Sequence, residues 1–475
     1  MSTQEKTPGE LLGEELLYKP ENAGERMSAE EIEKSAAFCE GYKEFLNAGK
    51  TERECVDWTV SLLEKHGYTP YDPGKIYAPG ERVYQNNRGK ALLFAVMGKR
   101  PLEEGANVLA SHIDATRIDL KQRPLYEEAQ LAMLKTHYYG GMRKYQWVTM
   151  PLALHGVIVK KGGSLLRVII GEEEGDPVFC INDLLPHLAK KQGERKLDDG
   201  IRGEELNVLV GSLPFKDDKA SEKVKLNVLR LLNEKYGIVE SDFLSAELSL
   251  VPAFKAKDVG FDRSMIGAYG HDDRVCAYTS VMASLDAHEP EFTWITVLAD
   301  KEEVGSDGNT GLQSRFLEYF IHDLAKSRGL EGRRVIEKSR CLSADVNGAF
   351  DPTFPDVNEK KNAAYLNYGA VMSKYTGVRG KSGSNDASAE FIGAIRRIFD
   401  DNGVIWQTAE LGKVDEGGGG TVAKFIANLG MEVVDIGVPV LSMHAPMEVV
   451  AKTDVYSAYR AFAAFLNANF ILCNF

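Results

Sequence analysis

The sequence predicts an α/β protein whose alternation of helix and strand is interrupted by a β-rich insertion, and three observations predict it. Apolar strand-like runs alternate with helical stripes at the start of the chain and again from about Ala253 to the end. Between about Pro124 and Pro252 the texture changes to short β-like runs separated by Lys, Gly and Glu turns. Finally, several strand-like runs end directly on an acid or a histidine, as expected where a sheet presents side chains at its carboxyl edge. At 475 residues the chain is long enough for two or three domains. The expected division is 1–123 and 253–475 as two parts of one α/β domain, with 124–252 inserted between them.

In chain order, Ser28-Ala29-Glu30-Glu31 and Thr51-Glu52-Arg53-Glu54 have capping-box spacing, and each opens a helical stripe. The second stripe, Cys55, Trp58 and Leu62, stops at Gly67. Ala91 to Met97 and Val108 to Ser111 follow as strands. Inside the insertion, Gln146 to Met150, Leu152 to Val159, Ser164 to Ile170, Leu206 to Val210 and Leu248 to Val251 read as strands, and Lys190 to Arg202 as an exposed loop. Beyond it the expected helices are Asp272 to Ala287, Thr310 to Lys326, Asn385 to Asp401, Thr421 to Leu429 and Asp454 to Asn469. The expected strands are Phe292 to Ala299, Arg340 to Val346, Gly369 to Lys374, Val404 to Leu411 and Val433 to Leu441.

The formal net charge of −13 argues against a nucleic-acid binder, which needs a basic patch. Cys39, Cys55, Cys180, Cys276, Cys341 and Cys473 have no paired short spacing and read as reduced thiols, not a disulfide framework. The first 26 residues lack the basic start and apolar core of a secretory signal, and no apolar run reaches the roughly 20 residues that span a bilayer. A cytoplasmic protein with no membrane partner is expected.

Asp300-Lys301-Glu302-Glu303-Val304-Gly305 is the most informative stretch, because two adjacent carboxylates at a strand end can enter one cavity in different roles. Four further segments offer metal-type ligands beside apolar runs: Ser111-His112-Ile113-Asp114, His271-Asp272-Asp273, Ser343-Ala344-Asp345 and Ser442-Met443-His444. Two histidines and a set of acids suit zinc or another divalent ion. Five ligands exceed what one catalytic zinc takes, but they suit two ions sharing a bridging carboxylate. Asp272, at an expected helix start, is the natural bridge. His112 and Asp345 complete one site, and Glu303 and His444 the other. Glu302 is left as the general base, and Asp114 as the acceptor that orients the His112 ring. Asp273 reads as an acid at a helix start, and His271 as a less suitable ligand. Gly417 to Thr421 lacks the lysine of a phosphate loop.

Together these segments resemble the aspartyl aminopeptidase and aminopeptidase I family of dinuclear zinc exopeptidases, from about residue 30 to the end. The resemblance implies the ligands His112, Asp272, Glu303, Asp345 and His444 with Glu302 as base. It implies a three-layer α/β sandwich with a mixed central sheet, of the zinc-exopeptidase type, and two divalent ions per subunit, zinc or else cobalt or manganese. The insertion would be a dimerisation domain, and dimers would join into a tetrahedral dodecamer that admits peptides. His155, in Met150 to His155, would contact substrate in a neighbouring subunit.

Some positions depart from the family pattern. Ile113, Ala115 and Thr116 replace the usual neighbours of the first ligand, and His271 and Asp273 flank Asp272. In relatives that prefer acidic N-terminal residues a lysine follows Gly-Pro-Val-Ile; here Lys374 falls one residue later and is the candidate substrate-binding lysine. Competing readings are a related dinuclear deacylase or carboxypeptidase, and a non-catalytic assembly protein.

Overall fold

The computed structural model describes residues 6–469. Cys473 lies outside them. The main sheet has nine strands in the order Thr69–Pro70, Arg82–Asn87, Ala91–Val96, Thr293–Ala299, Ala106–His112, Arg340–Ser343, Glu432–Gly437, Ala370–Ser373, Trp406–Thr408. It is mixed. Ala106–His112 runs parallel to both of its neighbours, whereas Ala91–Val96 is antiparallel to both of its own, and Ala370–Ser373 is antiparallel to Glu432–Gly437 but parallel to Trp406–Thr408.

Every residue of Ala106–His112 and Thr293–Ala299 is buried, as expected of strands covered on both faces. Side chains alternate between two cores. Leu109, Leu298 and Leu342 join the cluster of Tyr42, Phe45, Val275, Phe391 and Phe462, whereas Val108, Val297 and Cys341 join that of Phe320, Ile321, Val335 and Ile426. Helices Ala29–Ala48, Glu52–Lys65, His271–Leu285, Ala389–Asp401 and Lys452–Asn467 therefore cover one face, and Phe316–Ser327, Gly332–Lys338 and Ala423–Ala427 the other. The result is the expected three-layer sandwich. Both early capping boxes form, at Ser28 and Thr51.

A second sheet is antiparallel throughout, in the order Leu165–Ile170, Leu152–Val159, Ala246–Pro252, Arg117–Glu128, Leu131–Tyr139, Val208–Gly211, Cys180–Ile181. It has its own core around Trp147, Leu152, Ile158 and Leu250. Two details depart from expectation. Lys223–Tyr236 is a helix that packs Val224, Val228 and Leu232 on this core and ends at left-handed Gly237. The Gln146 to Met150 strand is instead a 3-10 turn at Lys144–Trp147, after which Thr149 takes a φ of 59°.

The expected run Val433 to Leu441 is divided as well. Glu432–Gly437 stays in the main sheet, and Pro439–Val440 pairs with Asn347–Gly348 in a separate ribbon. A proline has no N–H for an interior ladder, so the chain leaves the sheet here. Among the described residues no helix is long and apolar enough to cross a membrane.

Candidate metal centre

Three adjacent parallel strands deliver their residues to one edge of the main sheet. His112 closes its strand, Asp345 lies two residues beyond Arg340–Ser343, and the acid pair follows Thr293–Ala299. After Ala299 the backbone turns through Lys301, at a φ of 69°, into a 3-10 turn at Glu302–Val304. That turn aims two neighbouring carboxylates at one cavity. His444 does not stand at a main-sheet strand end. It arrives on a loop beyond the ribbon, with Ser442 and His444 at φ of 58° and 65°. Asp272 and Asp273 have non-helical backbone angles, so Asp272 precedes the regular part of its helix, and its N–H donates to Glu448 Oε2 at 3.0 Å. Their shared peptide bond is cis.

The side chains converge as two groups, His112, Glu302 and Asp345, then Asp272, Glu303 and His444, with the ligand atoms of each group within 4.8 Å of one another. Asp272 links them. Its Oδ1 lies 3.1 Å from His112 Nε2 and its Oδ2 lies 3.1 Å from His444 Nε2. Asp345 Oδ1 and Glu302 Oε2 are each 3.8 Å from His112 Nε2, and Glu303 Oε2 is 3.5 Å from His444 Nε2. The Nδ1 atoms face outward: that of His112 donates to the Asp114 carboxylate at 3.2 Å, and that of His444 to the Gly141 carbonyl at 3.0 Å. Both Nε2 atoms therefore point inward to the acids, where each can give up its proton to a metal ion, the orientation a metal-binding imidazole needs.

Comparison with known proteins decides the affiliation. Residues 45–466 match the family model described as aminopeptidase I zinc metalloprotease (M18). The chain belongs to the M18 family. A relative named probable M18 family aminopeptidase 1, from Clostridium acetobutylicum, is 51% identical over 461 residues, covering 95% of this chain and 99% of the relative. The crystal structure of an M18 aminopeptidase from Thermotoga maritima matches with a TM-score of 0.90 at 43% identity, over 95% of this chain and all of that one (100%). The S. cerevisiae mApe1 dodecamer shares the fold at a TM-score of 0.73 and 22% identity, over 92% of this chain and 97% of that one. The M18 chain is thus a zinc metallo-exopeptidase of the aminopeptidase type, which sets aside the deacylase, carboxypeptidase and assembly-protein readings.

The donor set of this M18 chain fits divalent cations. Asp114, Asp272, Glu303, Asp345 and Glu448 are buried or nearly so, and Glu303 Oε1 has no hydrogen-bond partner among the described residues. Burial together with the neighbouring acids Asp345, Asp272 and Asp114 lifts the Glu302 carboxyl to about 8. Burial opposes a charge on His444, but Asp272 and Glu303 prevail and hold the ring at about 10. A field this negative attracts metal ions, which displace the imidazole protons as they bind. The side chain of His444 is 34% exposed against 1% for His112, so the pocket opens toward His444.

Two expected residues are not brought to the centre. His155 is buried, with Nδ1 2.8 Å from Glu54 and Nε2 3.1 Å from Glu172. Lys374 lies half exposed beside Asp386, at 3.5 Å. His271 points away from the cavity, between the Tyr42 hydroxyl at 2.6 Å and the Ile266 carbonyl at 3.1 Å. Asp273 is fully buried, and burial with the nearby Asp345 raises its pKa well above the ordinary value. Glu448, which sequence reasoning missed, accepts the backbone N–H of Asp272 and, at 2.7 Å, of His444. Its only sequence signal is its position four residues after His444. Asp114 does more than orient His112: its two oxygens also accept the backbone N–H groups of Glu302 (3.1 Å) and Glu303 (3.3 Å).

Proposed function

We propose that this M18 chain is a dinuclear aminopeptidase that removes the N-terminal residue of peptides. Asp272 would bridge two ions, His112 and Asp345 completing one site and Glu303 and His444 the other. The observation that carries this reading is the Asp272 carboxylate, placed with one oxygen toward each histidine. When bound, such ions polarise the scissile carbonyl and lower the pKa of water, and zinc is the metal the family favours.

The chain's own groups supply the rest. Glu302, grouped with His112 and Asp345 but not needed as a ligand, takes a proton from the attacking water and returns it to the leaving amine. Asp114 holds the turn bearing Glu302 and the ring of His112 in one geometry through shared hydrogen bonds. Glu448 ties the backbone of Asp272 to that of His444. Segments 1–123 and 253–475 would act as one catalytic unit and 124–252 as the dimerisation domain. Assembly of dimers into a dodecamer is supported by the shared fold of the yeast assembly.

Aminoacyl p-nitroanilides with acidic, basic and neutral residues, assayed with zinc, cobalt or manganese, test the activity. Turnover of free-amine substrates and not of N-acylated ones is expected, and the reverse pattern would overturn the reading. Glu302→Gln should bind two ions and lose about 100- to 10,000-fold in kcat. Full activity with both ions bound would remove Glu302 from the role of base.

A further inference from the structure

The antiparallel sheet touches the metal centre directly. Its Leu131–Tyr139 strand ends in the turn Tyr139-Gly140-Gly141, which lies against Glu303 and His444 and reaches Asp114 through the Tyr139 hydroxyl. We propose that this turn is a positioning element for the metal centre: the Tyr139 hydroxyl fixes Asp114, and the Gly141 carbonyl fixes the ring of His444. The inference rests on the ligand assignment above.

The Tyr139 hydroxyl donates to Asp114 Oδ2 at 2.8 Å. That carboxylate already serves His112 Nδ1 and the amides of Glu302 and Glu303, so one hydroxyl reaches a metal histidine and both acids through a single intermediary. Tyr139 is itself held in place. The Arg117 guanidinium lies 3.9 Å from its ring centroid, and Arg117 is anchored by Glu52 at 3.2 Å and Asp119 at 2.8 Å. Buried, anchored cations over an aromatic face restrict the ring more than an exposed contact would.

On the other side, Gly141 accepts from His444 Nδ1 at 3.0 Å, which selects the tautomer whose Nε2 faces Asp272. Between them, Gly140 has a φ of 80°, and a side chain there would bring its Cβ to 2.9 Å from Thr116 Cγ2 and 3.1 Å from Glu303 Oε2. Only glycine lets the turn approach this closely. A residue that acts through such contacts is a positioning residue, and partners of this kind change metal affinity or activity by roughly 10- to 100-fold when removed.

The decisive experiment titrates zinc and cobalt in competition with a chromophoric chelator, without substrate, on wild type, Tyr139→Phe, Asp114→Asn and the double variant, with steady-state kinetics alongside. Tyr139→Phe should bind metal about tenfold more weakly and lower kcat at constant KM. In the Asp114→Asn background it should add nothing further, because the hydroxyl acts through that carboxylate. Wild-type affinity and kcat in Tyr139→Phe, or an equal loss in both backgrounds, would overturn the proposal. Should Tyr139→Phe not fold, Gly140→Ala decides: weaker metal binding supports the positioning role, and wild-type affinity refutes it. Since affinity is read without substrate, a protein that binds two ions yet releases no N-terminal residue overturns the proposed activity and leaves this inference standing. A wild type that binds no metal overturns both.

Discussion

Replacing Glu448 removes a group that never needs to touch metal or substrate, yet the geometry predicts a large effect. The side chain is 2% exposed, and its two oxygens accept the N–H groups of Asp272 at 3.0 Å and His444 at 2.7 Å. Glu448→Ala leaves both donors buried without a partner, at roughly 1–3 kcal/mol each, so a loss of about 4 kcal/mol in unfolding free energy is expected. Glu448→Gln keeps one oxygen acceptor and turns an NH2 toward the other donor, so it should lie between Ala and wild type. Urea unfolding at fixed zinc concentration measures the difference, and metal titration shows whether Asp272 and His444 loosen with it. A loss below about 1 kcal/mol for Glu448→Ala would refute the reasoning, because the two amides would then have other partners.

Two further outcomes are expected. Dialysis against a chelator should abolish peptide turnover and lower the unfolding midpoint; returning zinc to 100 times its dissociation constant should restore about 2.7 kcal/mol of stability, and turnover that survives chelation would refute the metal assignment. His155 titrates above its ordinary 6.5 because Glu172 and Glu54 outweigh the burial that favours its neutral ring, with Lys50 against Glu172 from the other side. Its folded pKa being raised, the stability it contributes is fully present below pH 6.5 and is lost as pH rises through the folded value. Urea midpoints should fall over that range in wild type and change less in His155→Gln; an equal slope in both would refute the assignment.

Much of the candidate centre was legible because its residues sit next to their own signals. His112 and Asp345 directly follow apolar strand runs, and the acid pair follows a third, so parallel pairing alone brings them together. Glu448 left no such mark, since it works through backbone amides whose positions depend on a loop and a kink. The partners of His155 are equally hidden. Strand alternation says it faces one side of its sheet, but Glu54 and Glu172 come from a helix and a loop, so pattern alone does not name them. The Lys223–Tyr236 helix has a clear apolar stripe, but it lies among short strands whose texture conceals it. At Pro439 a run that looks continuous divides because one residue lacks an N–H.

The wide spacing of the ligands also has a consequence for synthesis. His112 and Asp272 are 160 residues apart, Asp272 and Glu448 are 176 apart, and Thr116 meets the His444 carbonyl across 328 residues. Contacts this distant in sequence close late, because the loop entropy must be met before they form. A nascent chain on the ribosome cannot bring these residues together until nearly its whole length has emerged. Each growing chain therefore passes through most of its translation without the means to cut the peptides around it.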